Sequence, residues 1–310
     1  MGSALTSKNS TKAYWYSFTG DYYYKHMDSK SKKVYDRMND VCYKYLLGKE
    51  SSKPFKNQGR YCFNVDITGL KCTPDELYDV FLFFFYNSPQ YYFVDYNYYY
   101  LQDRSTGYIT KVALTMYNSY VTKKQRKSAT AKLKSSLNKY LKAARKLSGD
   151  VRKETYIHNT LAKNLTYDKH GTPTAGYTYK PAYQDEDQSI LSVFLKKKAE
   201  YPNSYATVCV GYAKAFSMLM NALGIDTVVI RSESHAWNEI KLGKKWYVVD
   251  LTWDDTGDKS NYTYFNISEK KLYELDTRSL HYPNSVFADG KKPEMPRAVT
   301  EHSWAVDPAY

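Results

Sequence analysis

No run of about 18 apolar residues occurs in this 310-residue chain, so it offers no candidate membrane-spanning helix. The longest apolar–aromatic run, Val80 to Tyr86, is far too short. Cysteine is scarce: Cys42, Cys62, Cys72 and Cys209. None forms a CxxC, and no His/Cys cluster has zinc-site spacing. With Cys209 kept as a free thiol, three remain, of which Cys62 and Cys72 could bridge a strand end to a helix start. There is no phosphate loop, dinucleotide fingerprint, HExxH or EF-hand loop, so neither an organic cofactor nor a metal is expected. No internal repeat is visible.

Acidic residues are the minority, 32 against 45 Lys and Arg, and the formal net charge is +13. Such a chain is drawn to polyanions. The lysines are spread along its length rather than gathered in a nucleic-acid motif, so anionic cell-wall polymers and acidic proteins are the expected polyanions and nucleic acid is not. Tyrosine is abundant, 35 of 310 residues, and suits strand-rich packing or a sugar- or peptide-binding surface. Met1-Gly-Ser3 reads as an expression scar. A removed leader and an extracellular or cell-surface location are expected, with a cytoplasmic one left open.

The richest stretch runs from Ser204 to Ile225. Ala213, Phe216, Met220 and Leu223 recur at spacings of three and four, one apolar face of a helix that Gly224 ends. Cys209 stands at its start, where unpaired N–H groups and the helix dipole favour a thiolate, the nucleophilic form. The same N–H groups suit an oxyanion. Gly211 lets another backbone or a substrate approach Cys209.

Downstream, Thr227 to Ile230 is β-branched, and His235–Leu242 and Trp246–Trp253 flank Gly243-Lys244, a hairpin signal. In that register Leu242 faces Lys245 and Trp237 faces Asp250. His235 is then a diagonal neighbour of Asp250 on the same sheet face, whereas a slip of one residue would part them. Thiol, imidazole and carboxylate thus follow in the order Cys209, His235, Asp250, the logic of an activated nucleophile. Taken singly, a buried cysteine is usually a small hydrophobe and a strand histidine is usually structural. Trp237, Trp246 and Trp253 read as packing around the site, and strand alternation turns Asn238 away from His235.

VCVGYAKAF, HAWNEI and WYVVDLTWDD together resemble the transglutaminase-like superfamily of papain-like thiol enzymes, in its bacterial form. IHNTLAKNLTYD and DQSILSVF are similar to the segments preceding the nucleophile helix in that family. The resemblance covers roughly Asp150 to Phe265. It implies Cys209 as nucleophile, His235 as general base and acid, and Asp250 as the orienting carboxylate. Gln188 would be an oxyanion donor, as a glutamine is in related thiol enzymes. The lysine-rich KKKAEYPNSYAT before Cys209 departs from the family pattern. Calcium dependence, known in the animal-type enzymes, finds no ligand set here.

The remainder reads as an N-terminal partner. Residues 1–12 are scar and tail, 13–148 an aromatic-rich α+β domain, and 149–310 the transglutaminase-like domain with a C-terminal extension. A helix from Ser29 ends at Gly48. Thr73-Pro74-Asp75-Glu76 starts another. Two aromatic strands follow, Tyr91–Leu101 and Tyr108–Tyr117. Thr122–Leu147 is a long helix with its basic residues solvated. His158 reads as structural, His170–Asp187 as a loop bordering the cleft, and the tail from His281 shows no catalytic set. The expected class is α+β, with the nucleophile helix packed on an antiparallel sheet. The expected activity is acyl transfer on peptide or protein amides. A cysteine peptidase or amidase is the near alternative, and a non-catalytic binding module or adhesin the distant one.

Overall fold

The computed structural model describes residues 11–169, 186–257, 261–284, 286–287 and 294–299. The tail at 1–10, most of the loop at 170–187 and the last residues of the extension lie outside the described residues. In chain order the elements are α1 (Thr11–Tyr16), α2 (Tyr22–His26), α3 (Ser29–Leu47), β1 (Phe55–Asn57), β2 (Arg60–Asp66), α4 (Pro74–Asn87), β3 (Val94–Gln102), β4 (Ile109–Met116), α5 (Lys123–Ala144) and α6 (Asp150–Asn164). Then come β5 (Leu165–Tyr167), α7 (Leu191–Phe194), β6 (Tyr205–Thr207), α8 (Cys209–Ala222), β7 (Thr227–Arg231), β8 (Ala236–Leu242), β9 (Lys245–Val249), α9 (Leu251–Asp254), β10 (Phe265–Ile267) and α10 (Glu269–Leu275).

Helix ends follow from local chemistry. Asp28 accepts from the backbone of Lys30 and Ser31 to start α3, and Gly48 ends it in the left-handed region at φ 63°. Thr73 and Glu76 make a reciprocal capping box on α4, with Pro74 in the first turn. Thr122 and Gln125 do the same for α5.

The sheets are antiparallel, ordered β1-β2-β4-β3 and β10-β9-β8-β7, with β5 and β6 as a separate parallel pair. Helices and antiparallel sheets together make the α+β class. All four cysteines are free thiols, so the bridge between Cys62 and Cys72 does not form. Cys62 lies opposite Thr115 and Cys72 opposite Ile109. Those partners are six positions apart along β4, about 20 Å of extended strand, far beyond disulfide reach.

The helix α8 differs from its expected one-sided burial. Every residue from Cys209 to Met220 is buried, Lys214 and Ser217 included. It packs on β7 and β8 as well as on α4, α5 and α6. Lys214 therefore has its ammonium 3.3 Å from the centre of the Phe85 ring, and burial lowers its pKa well below the usual lysine value. In α5 one basic side chain is likewise not solvated. Arg126 is fully buried, donating to the carbonyls of Tyr45, Tyr120 and Val121 and paired with Glu50.

Gly149, at φ 82°, stands between α5 and α6 where the domain joint is expected. Packing crosses that point. Side chains from Trp15 to Ala298 belong to one buried cluster. Asn87 at the end of α4 accepts from Gly20 N at 3.1 Å and from Val229 N at 3.0 Å, which ties the first helices to β7.

Candidate active site

Cys209 is the first residue of α8 and is 7% exposed. The residue before it, Val208, is extended and has no side-chain acceptor for the helix start. The first-turn N–H groups are therefore not capped by a side chain and face the thiol end. Gly211, two residues on, is required by the protein's own packing. A Cβ there would lie 1.8 Å from Thr207 Oγ1. Thr207 is fixed, because its hydroxyl donates to the Asp187 carbonyl at 2.7 Å and accepts from Ser192 at 2.8 Å.

The hairpin of β8 and β9 has the expected register. Leu242 pairs with Lys245 and the ladder continues to Asn238 opposite Val249. Asn238 points away from His235, donating to the carbonyls of Ala213 and Val228, and so pins α8 to the sheet. His235 lies just before β8. Its Nε2 is 2.6 Å from Asp250 Oδ2, and the Cys209 thiol is near enough to raise the affinity of the ring for its proton. With Nε2 engaged by the carboxylate, Nδ1 is the nitrogen left for sulfur.

Asp250 caps α9. Its Oδ1 accepts from Thr252 N at 2.9 Å and Trp253 N at 3.2 Å. Its Oδ2 accepts from His235 and also from His281 Nε2, at 2.8 Å. Four donors thus meet the four lone pairs of the carboxylate. Burial opposes charge on both groups. Even so, the His235 imidazole rises to about 10 because Asp250 lies against it. The Asp250 carboxyl is held well below the usual range by the two imidazoles.

His281 comes from the C-terminal extension, where no catalytic set is visible in the sequence. It has no exposed surface. Its Nδ1 is 3.1 Å from Asp276 Oδ2, and its backbone N donates to that same oxygen at 2.6 Å. Trp237, Trp253, Tyr264 and His235 enclose its ring at 4.6–6.1 Å. Trp237 also lies nearly parallel to His235, tilted by 16°. Trp246 is the exception among the three tryptophans expected around the site. It packs on Tyr22 at the other end of the hairpin.

His235, Asp250 and His281 are also the cluster whose donor atoms lie close enough for a metal, within 4.8 Å of one another. Their Nε2–Oδ2 separations of 2.6 and 2.8 Å are hydrogen-bond distances. An ion bonded to each donor at about 2.0–2.2 Å would hold them further apart. The chemistry of the cluster as placed is proton sharing.

Residues 138–251 match the family model of the transglutaminase-like superfamily. Over this segment, just over a third of its length, the chain is similar to the transglutaminase-like core. Members of that superfamily are in general cysteine acyltransferases or proteases. No curated protein matches the chain. A solved structure described as "Crystal structure of a TGase" overlays with a TM-score of 0.37 and 18% identity, covering 62% of this chain. The chain spans about half the length of that structure, 53%.

The fold brings His235 and Asp250 together next to the start of the Cys209 helix and sets Trp237 beside them. Gln188 is different. It stands half-buried on the turn before α7, and no hydrogen bond joins it to the other three. Near the thiol there is instead Tyr167 at the end of β5, whose hydroxyl interacts with Cys209. Burial and the charges of Cys209 and Asp250 push that hydroxyl up. In the lysine-rich departure before Cys209, Lys198 is anchored by Asp168 and Asp187. A cleft of about 640 Å³ opens next to the imidazoles, lined by Arg231, Ser232, Ser234, Ser279, Tyr282 and neighbours. His158 is structural, fully buried with Nε2 3.2 Å from Asp254.

Proposed function

We propose that the protein is a thiol-dependent acyltransferase acting on peptide or protein amides, with Cys209 as nucleophile, His235 as general acid and base, and Asp250 as the carboxylate that orients the ring. The observation that carries this reading is His235 bonded to Asp250 at 2.6 Å beside the thiol that starts α8 and interacts with the ring. The thiolate sulfur bonds to the amide carbon, and the oxygen of the tetrahedral intermediate meets the N–H groups of the helix start. His235 gives its proton to the leaving nitrogen as the C–N bond breaks, leaving a thioester on Cys209. An incoming amine then attacks the thioester and His235 takes its proton. Water in place of the amine gives hydrolysis, the peptidase alternative, and water exclusion sets the balance. The net charge of +13 supports an anionic cell-wall polymer as a partner of the same protein at an extracellular surface.

A fluorescent primary amine offered with a glutamine-bearing protein tests the reading. We expect covalent incorporation that Cys209→Ala abolishes. Peptide fragments without incorporation would move the protein to the peptidase alternative. Neither product, with Cys209 no more reactive than an ordinary thiol, would leave a binding module.

A further inference from the structure

Asp250 is shared. One of its oxygens, Oδ2, receives an N–H from each of two buried imidazoles, at 2.6 Å from His235 and 2.8 Å from His281. A triad needs only the first. The second ring is itself held beside Asp276, whose Oδ2 accepts from the His281 backbone N at 2.6 Å and lies 3.1 Å from its Nδ1. Asp276 is held in turn, since it caps the end of α10 and its Oδ1 accepts from Arg278 N at 3.1 Å. The result is a row in which acid and base alternate: Cys209, His235, Asp250, His281, Asp276.

We propose, building on the acyltransferase reading, that His281 clamped by Asp276 is a positioning residue for the thiol–imidazole pair. It fixes Asp250 Oδ2 and takes a share of that oxygen's negative charge, which weakens the carboxylate's hold on the His235 proton. A carboxylate bonded to His235 alone would bind that proton more strongly and make the ring a poorer donor to the leaving nitrogen.

Other charged groups surround the row. Asp254, paired with His158, and Tyr264 approach Asp250 from α9 and the strand side, and Tyr167 from β5. Arg278 lies over Trp253 at 5.5 Å. None of them is bonded to Asp250 Oδ2, so the effect of His281 is separable from theirs.

The test is the rate of Cys209 alkylation by iodoacetamide across pH, with acyl-transfer kinetics, in wild type, His281→Phe, His281→Gln and Asp276→Asn. Without the second donor, the negative potential at the thiol and the imidazole rises. The pH of half-maximal alkylation should then move up by roughly one unit in His281→Phe. His281→Gln, which keeps an amide N–H, should recover part of that shift, and Asp276→Asn should move the profile in the same direction. We expect kcat to fall about tenfold in His281→Phe with KM nearly unchanged. Profiles superimposable on wild type in folded His281→Phe and Asp276→Asn would overturn the proposal. So would a loss that is equal at every pH, which is the mark of a packing role. A wild-type profile insensitive to His235→Ala would instead overturn the acyltransferase reading, and the role of His281 with it.

Discussion

Glu154 shows how a single side chain sets a pH response away from the thiol. It sits on α6 with no exposed surface. One oxygen accepts from Asn266 at 3.1 Å, the other has no hydrogen-bond partner, and no basic side chain pairs with it among the described residues. Burial pushes its carboxyl up to about 8, from an ordinary value of 4.5. The folded state thus keeps a proton that the unfolded state has released, and stability falls as pH rises between those values. The slope is at most about 1.4 kcal/mol per pH unit. Urea midpoints for Glu154→Gln from pH ~5 to 8 should lack this decline. A decline as steep as that of wild type would show that the carboxyl is not its source. Residues of this kind were not legible in the sequence, since their partners are remote in the chain. The same applies to His281, 31 positions from Asp250. Cys209, His235 and Asp250 were legible because a helix start and a short hairpin announce them locally.

At the scale of elements, caps and turns were the readable features. The Thr73–Glu76 box, Gly48 and Gly243-Lys244 act within a few residues, so their signals survive in sequence. What covers an element does not. The one-sided stripe read for α8 is in fact buried on all sides, because α4, α5 and α6 cover what the sheet leaves free. The contact of α8 with β6 yields a test. Gly211→Ala places a methyl 1.8 Å from a hydroxyl that is itself held by two hydrogen bonds. Thr207 must move, and Cys209 stands two residues beyond it. Overpacking of this sort costs about 1–3 kcal/mol. A melting temperature several degrees lower is expected, together with reduced Cys209 reactivity. An unchanged melt would mean that β6 yields freely, contrary to its packing.

Across the whole molecule, the site is assembled from distant parts. The thiol is supplied by a helix buried between two layers, the imidazole and first carboxylate by a hairpin, and the second imidazole by the segment after α10. Asn87 locks the first helices to the strand that leads into His235, a coupling no local pattern in the sequence reveals. The central claim is that this assembly makes an activated thiol. The most direct measurement is the rate of labelling of Cys209 by iodoacetamide at pH ~6, well below the ~8.5 at which an ordinary thiol ionises. It is read by mass spectrometry against the buried Cys42, Cys62 and Cys72, in wild type and in His235→Ala. The account predicts rapid labelling of Cys209 alone in wild type and at least a tenfold slower rate in His235→Ala. Equal rates in the two proteins, or a Cys209 that labels no faster than the other three, would contradict it.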